Sequence, residues 1–229
     1  MATGPDVAHA IAEAARTMNQ PQPLEATLQT IAEVARRSVP GFDNVGISTV
    51  DRRGNVRTRA AAGDLVAELD ALQYQLGEGP CVDTLRQAEL VVAPHLRHDQ
   101  RWPRYVPGAV ALGVQSQLAV KLYLDEEGTL GGINFYSTLS EEVDPDAEGQ
   151  AELFATHAAI ALGNARERQN LNEALLSRAV IGQAIGIVME RYEMNEDRAF
   201  AFLLRASSHS NTKLRDVAQA VVDDRRAKG

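Results

Sequence analysis

Residues 171–227 read "LNEALLSRAVIGQAIGIVMERYEMNEDRAFAFLLRASSHSNTKLRDVAQAVVDDRRA". In the first half, Leu171, Ala174, Ile181, Ile185, Val188 and Tyr192 recur at steps of three and four, with Arg178 in the one gap. That spacing lays an apolar stripe along one side of a helix, and such a stripe needs a partner helix. Asn195 then stands where an N-cap opens a second helix, with Glu196 and Asp197 at its positive end. Met194 and Ala199 are spaced to close a hydrophobic staple. Asn211 is expected to cap a third helix, with Leu214, Val217, Ala218, Val221 and Val222 facing inward. Three helices this short make a core that is marginal alone, so a second copy or a neighbouring domain is expected to support it.

Working back toward the N-terminus, the helical pattern continues without a proline from Asp146 to Arg191, although Gly149, Gly163, Gly182 and Gly186 weaken it. Before it the pattern changes. Two helices are expected, over residues 6–19 and from Leu24 to Val39, separated by the Pro-rich break at 19–23. Val45, Ile47 and Thr49 then alternate with Gly46, Ser48 and Val50, and the turn Arg53-Gly54-Asn55 predicts a hairpin with residues 55–62. A helix from Asp64 to Gln75 follows. Then come the tight loop Gly77-Glu78-Gly79-Pro80-Cys81, opening a short helix, and a strand over Leu90–Ala93. His95–Pro107 reads as a polar, Pro-containing segment around Trp102. Gln117–Leu124 and Leu130–Tyr136 pair across a turn at Glu126-Glu127-Gly128. The result is an α+β domain, an antiparallel sheet of about five strands with flanking helices, over residues 1–165. A long helix joins it to an all-α three-helix domain over 166–229.

Composition narrows the function classes. The chain has 229 residues, a net charge of −8 and one cysteine. A single cysteine excludes an internal disulfide framework, fits a reducing, cytoplasmic setting and cannot found a usual zinc site. No unbroken run of 18 apolar residues occurs and no signal peptide is visible, so no membrane span is expected. Charge is uneven. Residues 1–170 hold 14 Lys and Arg against 23 Asp and Glu, a net −9, whereas residues 171–229 hold 9 against 8, a net +1. Any nucleic-acid contact should therefore lie in the C-terminal part and neutralise few phosphates.

The C-terminal stretch resembles the ANTAR family of RNA-binding antiterminator domains. The matching residues are Ile181-Gly182-Gln183-Ala184, Gly186-Ile187-Val188-Met189, Ala199-Phe200, Leu203, Arg205, Ser207, Asn211, Lys213-Leu214 and Asp216-Val217-Ala218. Three positions depart from the family's habit: Leu204 stands where a basic residue often precedes Arg205, Ser208 where Gln is frequent, and Ile185 where Lys is frequent. The N-terminal part, through "LGEGPCVDTLRQ", "RWPRYVPGAVALGVQSQLAVKL" and "LGGINFYS", resembles GAF sensory domains such as those fused to ANTAR domains in actinobacteria. The resemblance implies a homodimer that holds paired hairpins in a nascent messenger RNA, prevents a terminator from forming, and is regulated through the GAF domain.

Candidate RNA contacts are Gln183, Ser207 and Asn211 for base edges, and Arg191, Arg205, Lys213 and Arg215 for phosphates. Gly182 and Gly186, one turn apart, permit close approach of a neighbouring helix or of an RNA loop. In the GAF part, Cys81, Trp102 and Tyr105 are the candidate ligand or sensor residues. Cys81 lies at a helix start, where a thiolate would be stabilised, but a lone cysteine there is also an ordinary buried hydrophobe. A ligand for this domain, if it takes one, is a small molecule of unspecified kind. No metal site is expected, His95 and His98 reading as solvated loop residues. Three other readings stay open. One is a DNA-binding helix-turn-helix over 196–226, against which Asp216, Asp223 and Asp224 would face phosphates. Another is an enzyme, for which no nucleophile–base spacing is evident. The third is a dimeric sensor whose RNA surface has decayed.

Overall fold

The computed structural model describes residues 15–50, 54–125 and 128–227. Residues 6–14 of the helix expected over 6–19, and the turn residues Arg53, Glu126 and Glu127, lie outside them, while residues 15–18 are helical as expected. The chain divides into two compact units, Met1–Arg166 and Glu167–Gly229.

In the first unit, helix α1 (Leu24–Ser38) precedes strands β1 (Asn44–Val50) and β2 (Val56–Ala62). Helices α2 (Val66–Leu76) and α3 (Pro80–Arg86), strand β3 (Leu90–Ala93), a 3₁₀ turn at Leu96–His98 and helix α4 (Tyr105–Ala111) follow. Strands β4 (Ser116–Asp125) and β5 (Gly128–Ser137) complete an antiparallel sheet of order β2-β1-β5-β4-β3. The polar, Pro-rich segment between His95 and Pro107, for which the sequence predicts no element, is partly helical. It drives Leu96, Trp102, Tyr105 and Val106 into the interior, which outweighs its polar composition.

The period-two alternation of the strands gives the sheet two unlike faces. Val45, Ile47, Leu118, Val120, Ile133 and Phe135 build an apolar face against Leu28, Ile31 and Ala35 of α1 and against the start of α5 (Pro145–Tyr192). Register matches these residues across strands: Ile47 lies opposite Ile133, and Leu118 opposite Phe135. The other face carries Ser48, Gln117, Asn134 and Tyr136, covered by α2, α3 and α4. The GEGPC loop shows why its residues are needed. Gly77 ends α2 in the left-handed conformation, and Pro80 occupies the first turn of α3. Gly79 has φ +127°, and a Cβ on it would lie 2.3 Å from Gln73 Oε1.

Helix α5 is longer than the expected Asp146–Arg191 by one residue at each end. Its N-terminal turns supply Ala147, Ala151, Phe154, Ala158 and Leu162 to the first unit's core, and its last turns supply Ala184 and Val188 to the second. By length and composition alone α5 is apolar enough to cross a membrane. That average rests on leucine, isoleucine and valine interspersed with polar residues, so it is reached without an unbroken apolar run.

The second unit adds α6 (Glu196–Ser210) and α7 (Leu214–Ala227). Its core is Ala184, Val188, Ala199, Leu203, Ala218 and Val222, with Leu214, Val217 and Val221 partly buried as expected. Only three of these six buried residues are large, each contributing roughly 1.5–3 kcal/mol. The stripe from Leu171 to Tyr192 is only half used. Val188 is buried, while Leu171 and Tyr192 are 58% and 51% exposed.

Asn195 caps α6 as expected, its Oδ1 accepting from the Arg198 amide at 3.0 Å. Met194 lies partly buried against the same cluster as Ala199. Asn211 departs from expectation. It is not the N-cap of α7 but the left-handed residue (φ 50°) that closes α6, with the Thr212 amide reaching back to the Ser207 carbonyl at 3.1 Å. Asparagine tolerates that conformation better than other non-glycine residues, which is why one residue type serves at both ends of a helix.

Candidate functional site

The first unit contains a buried polar cluster. Asp70 on α2 is fully buried and accepts from Thr58 Oγ1 at 2.6 Å, from Asn134 Nδ2 at 3.2 Å and from the Tyr136 hydroxyl. Asn134 Nδ2 also reaches Ser48 Oγ at 3.0 Å and Cys81 Sγ at 3.1 Å. Gln73 Nε2 donates to the Tyr136 hydroxyl at 2.8 Å, and Tyr105 donates to Gln117 Oε1 at 2.7 Å. Ser48 Oγ and the Tyr74 hydroxyl lie 2.6 Å apart. Burial pushes the Asp70 carboxyl above the usual carboxylate range, against the lowering effect of its hydrogen bonds. Burial, then the nearby Asp70 charge, pushes the Cys81 thiol up to about 12. A thiol so shifted is a poor nucleophile.

The three sensor candidates are therefore interior residues, each at most 2% exposed. Trp102 donates from Nε1 to Asp83 Oδ2 at 2.8 Å and lies under the Arg101 guanidinium, 4.2 Å from its ring centre. Tyr105 is tied to Gln117. His95 and His98 belong to no cluster of metal-ligating side chains among the described residues. The polar network around Asp70 is not evident in the sequence. Its only signal there is the set of polar residues Ser48, Gln117 and Asn134 at alternating strand positions.

In the second unit the predicted contact residues divide among several places. Lys213 and Arg215 line one groove with Asn170, Glu173, Ala174 and Ser177 of α5. Arg205 lies in a shallow groove along α6 with Phe202, Ala206 and His209. The exposed side chains of Arg205 and Lys213 have no ion-pair or hydrogen-bond partner among the described residues. Arg215 meets only its neighbour Asp216, at 3.7 Å. Arg191 is held by Asp224 at 3.1 Å. Ser207 Oγ donates to the Thr212 carbonyl at 2.6 Å, so Ser207 and Asn211 shape the turn that leads to Lys213. Gln183 and Gly186 are exposed on α5. A Cβ added at Gly182 or Gly186 would meet nothing within 4 Å, so no helix of this unit rests on them. Asn170, Glu173 and Ser177 are not among the sequence-predicted residues. Their three- and four-residue spacing is visible there, but the groove they line needs the position of Lys213.

The family model of the GAF domain matches residues 21–163, more than half of the chain, and that of the ANTAR domain matches residues 169–222. The chain is a GAF–ANTAR protein. ANTAR domains are RNA-binding antiterminator domains and GAF domains are regulatory sensors, so both halves of this GAF–ANTAR protein are of regulatory type. No curated protein matches the chain. Among solved structures, it resembles a free methionine-R-sulfoxide reductase from Neisseria meningitidis (15% identity, TM-score 0.58, 73% of this chain and 96% of that one). It also resembles the GAF domain of an Acinetobacter phosphoenolpyruvate-protein phosphotransferase (15%, 0.58, 74% and 99%). A third likeness is the bacteriophytochrome RpBphP3 from R. palustris (13%, 0.58), where 82% of this chain matches. The chain spans 43% of that bacteriophytochrome's length. At these identities the likeness shows the fold alone.

Proposed function

We propose that this GAF–ANTAR protein acts as a homodimer that binds two hairpins in a messenger RNA and keeps a terminator from forming, under control of its GAF domain. The observation that carries the reading is the pair of exposed cations Arg205 and Lys213, unpartnered among the described residues, on an ANTAR-matched unit. An unpaired surface cation can neutralise a phosphate without first breaking an internal bond. Arg215 is nearly as available, since its one contact is long and exposed. Arg191 would have to leave Asp224 before joining. Gln183 reads base edges beside Gly186, where the open backbone admits a loop. Ser207 and Asn211 act by fixing the turn before Lys213.

The exposed Leu171, Leu175 and Leu176, each 58% or more exposed, support pairing with a second copy. The GAF input runs through α5, which contributes residues to both cores. A cytoplasmic location belongs to the same reading. The buried state of Cys81, Trp102 and Tyr105 favours an input that acts on the packed interior over a surface ligand.

The test is a titration of two-hairpin, single-hairpin and duplex-DNA probes against the full chain and its Arg205→Ala/Lys213→Ala double variant at fixed salt. The expected result is tightest binding to paired hairpins, weakened at least about tenfold in the variant, with a dimer mass by sedimentation. Equal binding to all probes, or preference for duplex DNA, would reject the reading.

A further inference from the structure

Resting on the RNA reading above, we infer that the groove between α5 and the start of α7 is a phosphodiester seat, so that the connecting helix itself touches RNA. The groove has a volume of about 460 Å³ and its walls are mostly polar: Asn170, Glu173, Ala174 and Ser177 on α5, facing Lys213 and Arg215. Two cations stand on one wall. The Asn170 amide and the single carboxylate of Glu173 stand on the other.

Three features fit a strand of phosphates. Lys213 has no partner among the described residues, and Arg215 is held only by an adjacent residue at 3.7 Å, so both charges are available. Asn170, Lys213 and Arg215 are exposed, so the groove is open to a polymer as well as to a small ion. From Asn170 to Ser177 the helix rises about 10 Å, roughly three nucleotide steps of a stacked strand. Small Ala174 sits midway along that wall, where a bulkier side chain would close it.

Glu173 sets the groove's character. Its carboxylate accepts from Gln169 at 3.0 Å, which fixes it in place without removing its charge. With two cations and one carboxylate the groove is only weakly positive. Phosphate is held there, but less tightly than two unopposed cations would hold it. Glu173 is thus a residue that limits affinity, and removing its charge tightens binding. A groove built to receive an acidic protein segment would respond to the same change through assembly, leaving RNA affinity alone.

The experiment uses the full chain and an RNA recovered from a pool of two-hairpin RNAs with randomised loops. Dissociation constants are measured across a salt series for wild type, Glu173→Gln, Asn170→Asp and Lys213→Ala. All three side chains are exposed, and circular dichroism and sedimentation on each variant check its fold and its mass. Glu173→Gln is expected to bind about threefold tighter and Asn170→Asp about threefold weaker, the scale of one exposed charge interaction. Lys213→Ala should lower the salt slope by about one. Wild-type binding that is weakened by Lys213→Ala but indifferent to both α5 variants overturns the inference and leaves the RNA reading standing. A change in assembly without a change in RNA affinity also overturns it, in favour of an acidic protein segment. If no RNA in the pool binds wild type, the RNA reading falls and this inference with it.

Discussion

Gly182 and Gly186 permit a test in which stability and binding should move in opposite directions. Both sit in the interior of α5, and neither has a positive φ or any atom within 4 Å of where a Cβ would stand. Replacing glycine by alanine in a helix interior recovers about 0.8–1.0 kcal/mol each. Gly182→Ala/Gly186→Ala should therefore stabilise the ANTAR unit by about 1.8 kcal/mol. For a unit of this size that raises its transition by about 7–14 °C. Trp102, the only tryptophan, lies in the GAF unit, so its fluorescence reports that unit while far-ultraviolet circular dichroism reports the helices of both. The dichroism transition should rise and the fluorescence transition should stay in place, at a protein concentration where sedimentation shows monomer. RNA affinity should fall in the same variant, because the added methyls occupy the space of close approach. A lowered or unmoved dichroism transition would refute the claim that this face is open. Raised stability with unchanged RNA affinity would show that the glycine face is not where RNA docks.

The remaining predictions concern the two cores. Leu203→Ala removes the largest fully buried side chain of the six-residue ANTAR core and should cost about 3 kcal/mol, read by chemical denaturation. Asn195→Ala removes the bond to the Arg198 amide and should cost about 1 kcal/mol, with Asn195→Asp restoring most of it. Cys81, fully buried and with its thiol pushed up to about 12, should be alkylated far more slowly than a free thiol in the native protein, and at the ordinary rate once unfolded. Asp70 has a raised folded-state value, so the folded state binds the extra proton. Its contribution to stability is fully present below the unfolded value of about 3.9 and is lost as pH rises through the folded one. The stability of wild type relative to Asp70→Asn should therefore fall as pH rises above the unfolded value, measured by urea denaturation; a rise would contradict the burial argument.

Much of this architecture is legible from local pattern. The alternation through Val45, Ile47, Leu118 and Leu122 marks strands because period two is a property of the pleat itself. The Asn195 cap and the inward face of α7 follow from the same kind of short-range rule. Asn211 is ambiguous in sequence because an asparagine between two helices satisfies both an N-cap and a left-handed closing position. Only the backbone at Ser207–Thr212 chooses between them. Leu171 fits a buried stripe and is exposed, because periodicity shows that a helix has an apolar side and not whether anything covers it.

The sequence by itself determined the order of the strands and of every helix but α4, the division of charge between the two halves and the residue patterns that mark GAF and ANTAR domains. These rest on interactions a few residues apart. Tertiary structure alone decided that Cys81, Trp102 and Tyr105 are interior, that Asp70 is held by side chains from β2 and β5, and that Arg191 is paired while Lys213 has no partner among the described residues. It also decided that Lys213 and Arg215 face Asn170 and Glu173 across some 40 positions of chain. Burial, hydrogen-bond partner and electrostatic surroundings depend on which distant segments fold against a residue, and no local periodicity encodes that.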